Sequence, residues 1–412
     1  MHSGGSRPGR RSNRRPLPTG FGSLWFTVVL DLVGFGVALP ILPLWAKDLG
    51  SSGATIGLLL ASYSLAQLIG APFLGRLSDR IGRRPLLVLA LVGSTVGHVV
   101  TGLAGSVTVL ILARVLDGFS GASISVAYAA VADIAEPRER PRLFGLLGAG
   151  FAVGFVVGPA LGGLAALGGH RLPFFVAGAL CGINALTAWW RLPETNPHGK
   201  SVAPKRSSIR ETVAALTRWD DVARLLLVAL LAGLAFSGFE ATFALTGDAR
   251  VGMTEATAGL VFAVLGIVLA VVQGGMVHTV LTRWGERSVL RVALALLAVG
   301  AALLIPNGGW ALLVLGTLVL VVGQGLVSPS VSSGLAATAD PARRGATFGL
   351  NQSTGALARL VGPVVAAWLF DSSGTGAPFV WCLVIAVLAM LATSAVRTPA
   401  PVEAKTPVVT HG

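Results

Sequence analysis

Five ionisable side chains stand inside long apolar runs of this chain: Asp31, Arg114, Asp117, Glu240 and Arg359. A charge in hydrocarbon is costly, so such residues are candidates for function before any others. Asp31 lies about nine residues into its run, roughly 14 Å deep at the helical rise. Burial of a lone carboxylate favours its neutral form. Asp31 therefore reads as a proton carrier, as an attractor for a cation, or as a structural acid bonded between helices. Arg114 and Asp117 stand three apart, on one helix face, where they can neutralise one another. Arg359 needs a partner or water, and backbone carbonyls would serve structurally. His98 can titrate near neutral pH, or be a satisfied interhelical histidine.

The elements that must hold these residues are membrane helices. The 412 residues are 53% hydrophobic and 12% charged, and the mean hydropathy is +0.77. Soluble domains carry roughly 25% charged residues. About 20 apolar residues cross a bilayer core, and backbone polar groups there need internal partners, which leaves helix bundles or closed barrels. The apolar runs here are continuous and do not alternate every second residue, so the fold class is an all-α membrane protein. About twelve spans are expected, near 22–45, 54–75, 85–104, 107–132, 143–167, 172–191, 222–246, 256–281, 288–305, 309–335, 345–369 and 376–396.

The net charge of +13 could suggest nucleic acid, but the placement of the charges speaks against it. Only Lys47, Arg171 and Arg250 fall on one side of this topology, while most other Lys and Arg residues fall on the opposite side. That asymmetry puts both termini in the cytoplasm of a multi-pass inner-membrane protein. The arm bearing Arg7, Arg10, Arg11, Arg14 and Arg15 is the strongest contributor and can touch anionic lipid. The run from Leu24 is too long for a signal peptide and has no small-residue cleavage site. Cys181 and Cys382 lie in apolar segments, so neither a disulfide nor a metal framework is expected.

The chain divides into a basic arm (1–21), a six-span bundle (22–191), a cytoplasmic linker (192–221), a second six-span bundle (222–397) and a tail (398–412). The halves are related. Phe144-Gly145-Leu146 and Gly158-Pro159 recur as Phe348-Gly349-Leu350 and Gly362-Pro363, both 204 residues on. In the same register Glu136-Pro137 and Arg140 match Asp340-Pro341 and Arg344. Two similar bodies rocking about a midplane site are the pattern of a transporter. The pseudo-symmetry makes the seventh span the counterpart of the first. Glu240 then faces the same cavity as Asp31, or serves nearer the outer end as a gate or lipid-edge residue.

Two further clusters carry the reading. The loop after the second span is Gly75-Arg76-Leu77-Ser78-Asp79-Arg80-Ile81-Gly82-Arg83-Arg84-Pro85, in which Gly75 and Gly82 permit tight turns. Asp79 only accepts hydrogen bonds, which suits a helix N-terminus or an arginine fork. The bland alternative is a topology signal alone. The fifth span holds Gly154, Gly158, Pro159, Gly162 and Gly163. Small residues admit close helix approach and Pro159 bends the span, although such residues are frequent in membrane helices anyway.

With these motifs, the twelve spans and the repeat, the chain resembles the drug/proton antiporters of the major facilitator superfamily, and bacterial tetracycline/proton antiporters in particular. Leu30-Asp31-Leu32-Val33-Gly34-Phe35-Gly36 with Leu39-Pro40-Ile41-Leu42-Pro43 resembles their first helix, and Pro193-Glu194-Thr195 the end of their sixth. The resemblance implies a latch of Gly75, Asp79, Arg80, Gly82, Arg83, Arg84 and Asp133. In it Asp79 faces the start of the eleventh span and Arg80 reaches Asp133. It implies proton transfer through Arg114, with Asp31, Asp117 and Glu240 as further coupling residues. It also implies that the fifth-span glycines mark an exporter. The second-half turn, Thr282-Arg283-Trp284-Gly285-Glu286-Arg287, has Thr282 in place of Asp79, so an asymmetric latch is expected.

Candidate cavity residues are Phe35, Gln67, Phe236, Phe239, Gln273, Gln324 and Asn351, each of which could equally be interhelical packing or glue. Trp189, Trp190 and Trp310 read as interfacial anchors. The third and ninth spans lack the acids of tetracycline antiporters, which argues against metal–tetracycline chelates as substrate. No phosphate loop is present, so the expected energy source is the proton gradient, without a cofactor. The reading is a monomeric, non-enzymatic, proton-coupled exporter of lipophilic or cationic drugs working by alternating access. The alternatives are an exporter or symporter of a small metabolite and a transport-inactive receptor-like relative.

Overall fold

The computed structural model describes residues 17–121, 123–136, 139–195, 221–339 and 344–394. The basic arm, most of the expected linker, the Asp340-Pro341 pair and the tail lie outside the described residues. The described chain is helical throughout. Its elements are α1 (Phe21–Asp48), α2 (Gly53–Ile81), α3 (Arg83–Leu103), α4 (Val107–Gly121), α5 (Ser123–Ile134), α6 (Arg140–Ala166) and α7 (Leu172–Arg191). The second half holds α8 (Asp221–Val251), α9 (Glu255–Val271), a π turn (Val272–Met276), α10 (Val277–Trp284), α11 (Glu286–Leu304), α12 (Gly309–Thr338), α13 (Arg344–Ser373) and α14 (Ala377–Ser394). α4 with α5 forms the fourth span, and α9 through α10 the eighth. Eleven spans among the described residues are long and apolar enough to cross a membrane, and α14 adds a shorter apolar helix. The chain is a multi-pass membrane protein.

Most helices outrun the apolar windows that announced them. Hydropathy marks only the stretch in contact with hydrocarbon, whereas a helix continues until its backbone is capped or broken. α2 runs on to Gly82, whose φ of +100° ends it, and α10 ends likewise at Gly285 with φ +75°. Ser52 and Thr254 cap the second helix of each half, their hydroxyls accepting from the amides of Thr55 and Thr257 at 3.3 Å. The π turn at Val272-Gln273-Gly274-Gly275-Met276 interrupts a span that reads as continuous. Paired glycines are poor helix formers, and such turns occur where the ladder is locally weak.

The two halves repeat the same packing. α1 packs on α6 and α7 as α8 packs on α13 and α14, and α3 on α4 as α11 on α12. Small residues set the closest approaches. A Cβ on Gly158 would fall 2.6 Å from the Val33 carbonyl oxygen, and one on Gly362 would fall 2.9 Å from that of Leu234. The Gly-Pro repeat is thus one helix contact used twice.

The halves meet through α2 on α13, α6 on α9 and α1 on α8. At the Lys47 end, Lys47 Nζ lies 2.5 Å from Asp248 Oδ2, and the Gly53 amide donates to Asp371. Deeper, a Cβ on Gly57 would meet Val364 Cα at 2.7 Å, and one on Gly163 would meet the Ala256 carbonyl at 2.8 Å. All these contacts lie in the half of the molecule toward Lys47. The bundles are closed on one another there.

Candidate functional site

The central charges of the first bundle gather where α1, α2, α3, α4 and α5 meet. Arg114 Nη1 donates to Asp117 Oδ2 at 2.7 Å, and both residues are only 4% exposed. The i,i+3 spacing on α4 puts them on one face, and their neighbours leave room. Gly118 and Gly121 let Tyr63 come against α4, and a Cβ on Gly97 would stand 3.0 Å from that of Asp117. The Arg114 guanidinium lies 4.4 Å from the Tyr63 ring centre and 5.9 Å from that of Phe35, and the two rings are 4.9 Å apart. A buried guanidinium held by a carboxylate and two aromatic faces has a compensated charge.

Asp31 on α1 sits beside this pair and accepts from Ser123 Oγ at 3.3 Å. Its charge interacts with those of Asp117 and His98. His98 is buried, with Nδ1 2.8 Å from the Ser94 carbonyl oxygen, Nε2 3.1 Å from that of Gly34, and Nδ1 3.7 Å from Asp117 Oδ1. Asp31 and His98 thus both act on Asp117, the carboxylate that holds Arg114. Sequence reasoning offered His98 as a titratable group or a satisfied interhelical histidine, and its contact with the Gly34 carbonyl is interhelical, as in the second of these; it passed over Ser123 and Tyr63. The signal for His98 was its place opposite an acid on a facing helix, which no linear spacing reveals.

In the second bundle Glu240 on α8 is half-buried, and its Oε1 has no hydrogen-bond partner among the described residues. Arg359 on α13 feels the charges of Glu240 and Tyr63 and forms no ion pair with a described acid. Of the candidate cavity residues, Phe239 is corrected. It is 1% exposed and stands in an aromatic row with Phe236, Phe243 and Phe262, at centre distances of 5.4 to 5.9 Å. Helical spacing turned it into the bundle core and away from open space. Phe35 is claimed by Tyr63 and Arg114, and Gln67 donates to the Gly121 carbonyl at 3.1 Å. Gln273 lies exposed in the π turn, Asn351 is half-buried, and Gln324 Oε1 is buried without a partner among the described residues.

At the Gly82 end the arginine that meets Asp133 is Arg83. Its Nε lies 3.0 Å from Asp133 Oδ2 and its Nη1 2.7 Å from Asp79 Oδ1, and the residue is 1% exposed. Ser78 accepts a further bond from it. Arg80, expected at that acid, is exposed. The reason is geometric. α2 continues through Arg80, so its side chain leaves the helix on the outer face, while the turn at Gly82 aims Arg83 inward. Asp79 is engaged inside its own bundle, four residues from Arg83. The side chains that begin α13, its expected partner, lie outside the described residues.

Glu194 completes this hub, and sequence reasoning gave it no role there. Its Oε1 accepts from the Arg83 amide at 2.9 Å and its Oε2 from the Arg84 amide at 3.1 Å, capping α3 from the far end of the bundle. Gly82 offers α3 no side-chain cap, and a carboxylate favours a helix N-terminus. Arg84 donates to the Trp189 carbonyl and lies 5.4 Å over its ring. Trp189, Trp190 and Trp310 are all exposed, as surface anchors are.

In the fifth span, Gly154, Gly158 and Gly162 pack on Leu32, Val33, Gly36 and Val37 of α1, next to Pro159. Gly163 alone among these glycines faces the other bundle, at Ala256 and Gly259.

A family model described as the Major Facilitator Superfamily matches residues 24–280 and 249–411. The chain is 31% identical to the class C tetracycline resistance protein of Escherichia coli, over 85% of this chain and 89% of that one. It is 29% identical to multidrug resistance protein 1 of Bacillus subtilis (strain 168), over 92% and 96%. Among solved structures, the human organic anion transporter MFSD10 (TETRAN) superposes with a TM-score of 0.67 at 28% identity, covering 92% of this chain and 99% of that one. Its helices, its repeat and its paired bundles agree with these matches: the chain belongs to the Major Facilitator Superfamily and is a transporter, not an enzyme.

Proposed function

We propose that this protein is a proton-driven exporter of lipophilic drugs in the inner membrane, with the Gly82 end and both termini in the cytoplasm. The observation that carries this reading is Asp31, a carboxylate in mid-span beside Arg114, Asp117 and His98, next to a centre closed at the Lys47 end. The names of the relatives, tetracycline and multidrug resistance proteins, support drugs as the substrate class. The charge placement read from the sequence supports the orientation.

In the cycle, a drug enters from the cytoplasm while the Lys47 end is closed. The bundles then rock, the Lys47–Asp248 contact opens, and protons arriving from outside load the first bundle and displace the drug. Asp31 carries the proton. Arg114, fixed by Asp117 and the aromatic pair, holds a positive charge in the same cluster, and Glu240 serves the second bundle. The membrane potential adds about 2.3 kcal/mol per charge per 100 mV. No cofactor enters the cycle, and the working unit is a monomer in lipid.

Expression in a strain stripped of its own pumps should raise resistance to lipophilic drugs, and everted vesicles should lose protons when drug is added. Asp31→Asn should abolish this coupling. Gradient-driven efflux that survives the substitution removes Asp31 from the proton path. Absence of any drug phenotype with net uptake of a metabolite refutes the export reading.

A further inference from the structure

Arg114 and Arg359 are both mid-span arginines, yet the fold treats them differently. Arg114 is buried and committed to Asp117 and two rings. Arg359 is exposed, and the charges that reach it come from Glu240 of its own bundle and Tyr63 of the other. Its neighbours on α13 fix its direction. Ala358 takes a bond from Ser237 Oγ at 2.8 Å and so faces α8, while Pro363 and Val364 lie against Gly57 of α2. Arg359 stands one turn before Pro363, on the Gly82 side of that contact.

Resting on the export reading above, we propose that Arg359 is the anchor for an anionic group on the transported molecule, so that the second bundle selects compounds bearing a carboxylate or similar anion. Two observations carry this. No described acid lies within ion-pair distance of Arg359, so its five donors are uncommitted to any described carboxylate. Glu240, the acid whose charge reaches it, does not close on it and keeps Oε1 without a partner. An unpaired guanidinium at this depth is tolerated only against water or a ligand. A carboxylate matches its fork in two parallel bonds. The Tyr63 side chain is near enough to interact with Arg359, and its ring covers Arg114. An anion held on Arg359 therefore lies next to the proton site.

The test uses full-length protein in lipid nanodiscs and three probes: ciprofloxacin, which carries a carboxylate, its methyl ester, and ethidium. Arg359→Gln should weaken binding of the acid about tenfold or more and change the ester and ethidium less than about threefold. Arg359→Lys should recover part of the loss. Equal loss of acid and ester makes Arg359 structural and overturns the proposal, as does no loss of either. Efflux of the same probes from pump-deficient cells separates the two readings. If wild-type protein extrudes none of them, the export reading fails, while the binding comparison still decides the role of Arg359.

Discussion

Gly163→Ala should push the transporter out of the state seen here. The added Cβ would stand 2.8 Å from the Ala256 carbonyl oxygen, 3.0 Å from Gly259 Cα and 3.2 Å from its carbonyl carbon. These are backbone atoms of the opposite bundle, which cannot turn aside as a side chain can. Overpacking of this kind costs about 1–3 kcal/mol. The cost falls only on the conformation closed at the Lys47 end, so the closed-to-open ratio should drop by about 5- to 150-fold. Gly154→Ala is the control. Its Cβ would meet Leu32 at 2.6 Å, within one bundle, so its cost is shared by both conformations. Spin labels at Leu49 and Ser372 report the separation of the bundles at that end, because both positions are exposed. The natural cysteines, Cys181 and Cys382, are buried. Gly163→Ala should lengthen the distance distribution, whereas Gly154→Ala should lower thermal stability and leave the distribution unchanged. An unchanged distribution in Gly163→Ala, or an equal shift in the control, refutes closure by steric fit.

The Lys47–Asp248 pair should matter less, because its side chains are 44% and 35% exposed. Lys47→Ala is expected to cost the closed state about 0–1 kcal/mol, and the same label pair should show an effect that shrinks at high salt. At the Gly82 end, Arg83→Ala removes the buried guanidinium that Asp79 and Asp133 share and should destabilise the first bundle by about 3–5 kcal/mol. Arg80→Ala should stay within about 0.5 kcal/mol. Thermal unfolding in detergent distinguishes them, and equal effects would refute the assignment of Arg83 to the hub.

Much of this was legible in linear order. The apolar runs report spans because hydrocarbon demands about 20 apolar residues and an internally bonded backbone. The offset of 204 residues reports the repeat because the same Gly-Pro contact is built twice. Arg114 and Asp117 could be paired on paper because a helix puts i and i+3 together. The hub was harder to read. Arg80 and Arg83 are three apart in one basic run, and only the angle taken by the chain at Gly82 decides which of them turns inward. Phe239 and Glu240 are adjacent, so one faces the core and the other does not, and periodicity alone could not fix the phase.

By itself, then, the sequence determined that this is a helical membrane protein of two related bundles with ionisable residues at mid-depth. Those properties follow from solvent, length and local periodicity. Tertiary structure decided which charges meet. It brought His98 and Asp31 to Asp117 from other helices, set Glu194 over the start of α3, and left Arg359 exposed without a described acid beside it. It also decided which end is closed. The closed end is a matter of backbone meeting backbone at Gly57, Gly163 and Gly259, and a glycine in the sequence does not say which helix will lie against it.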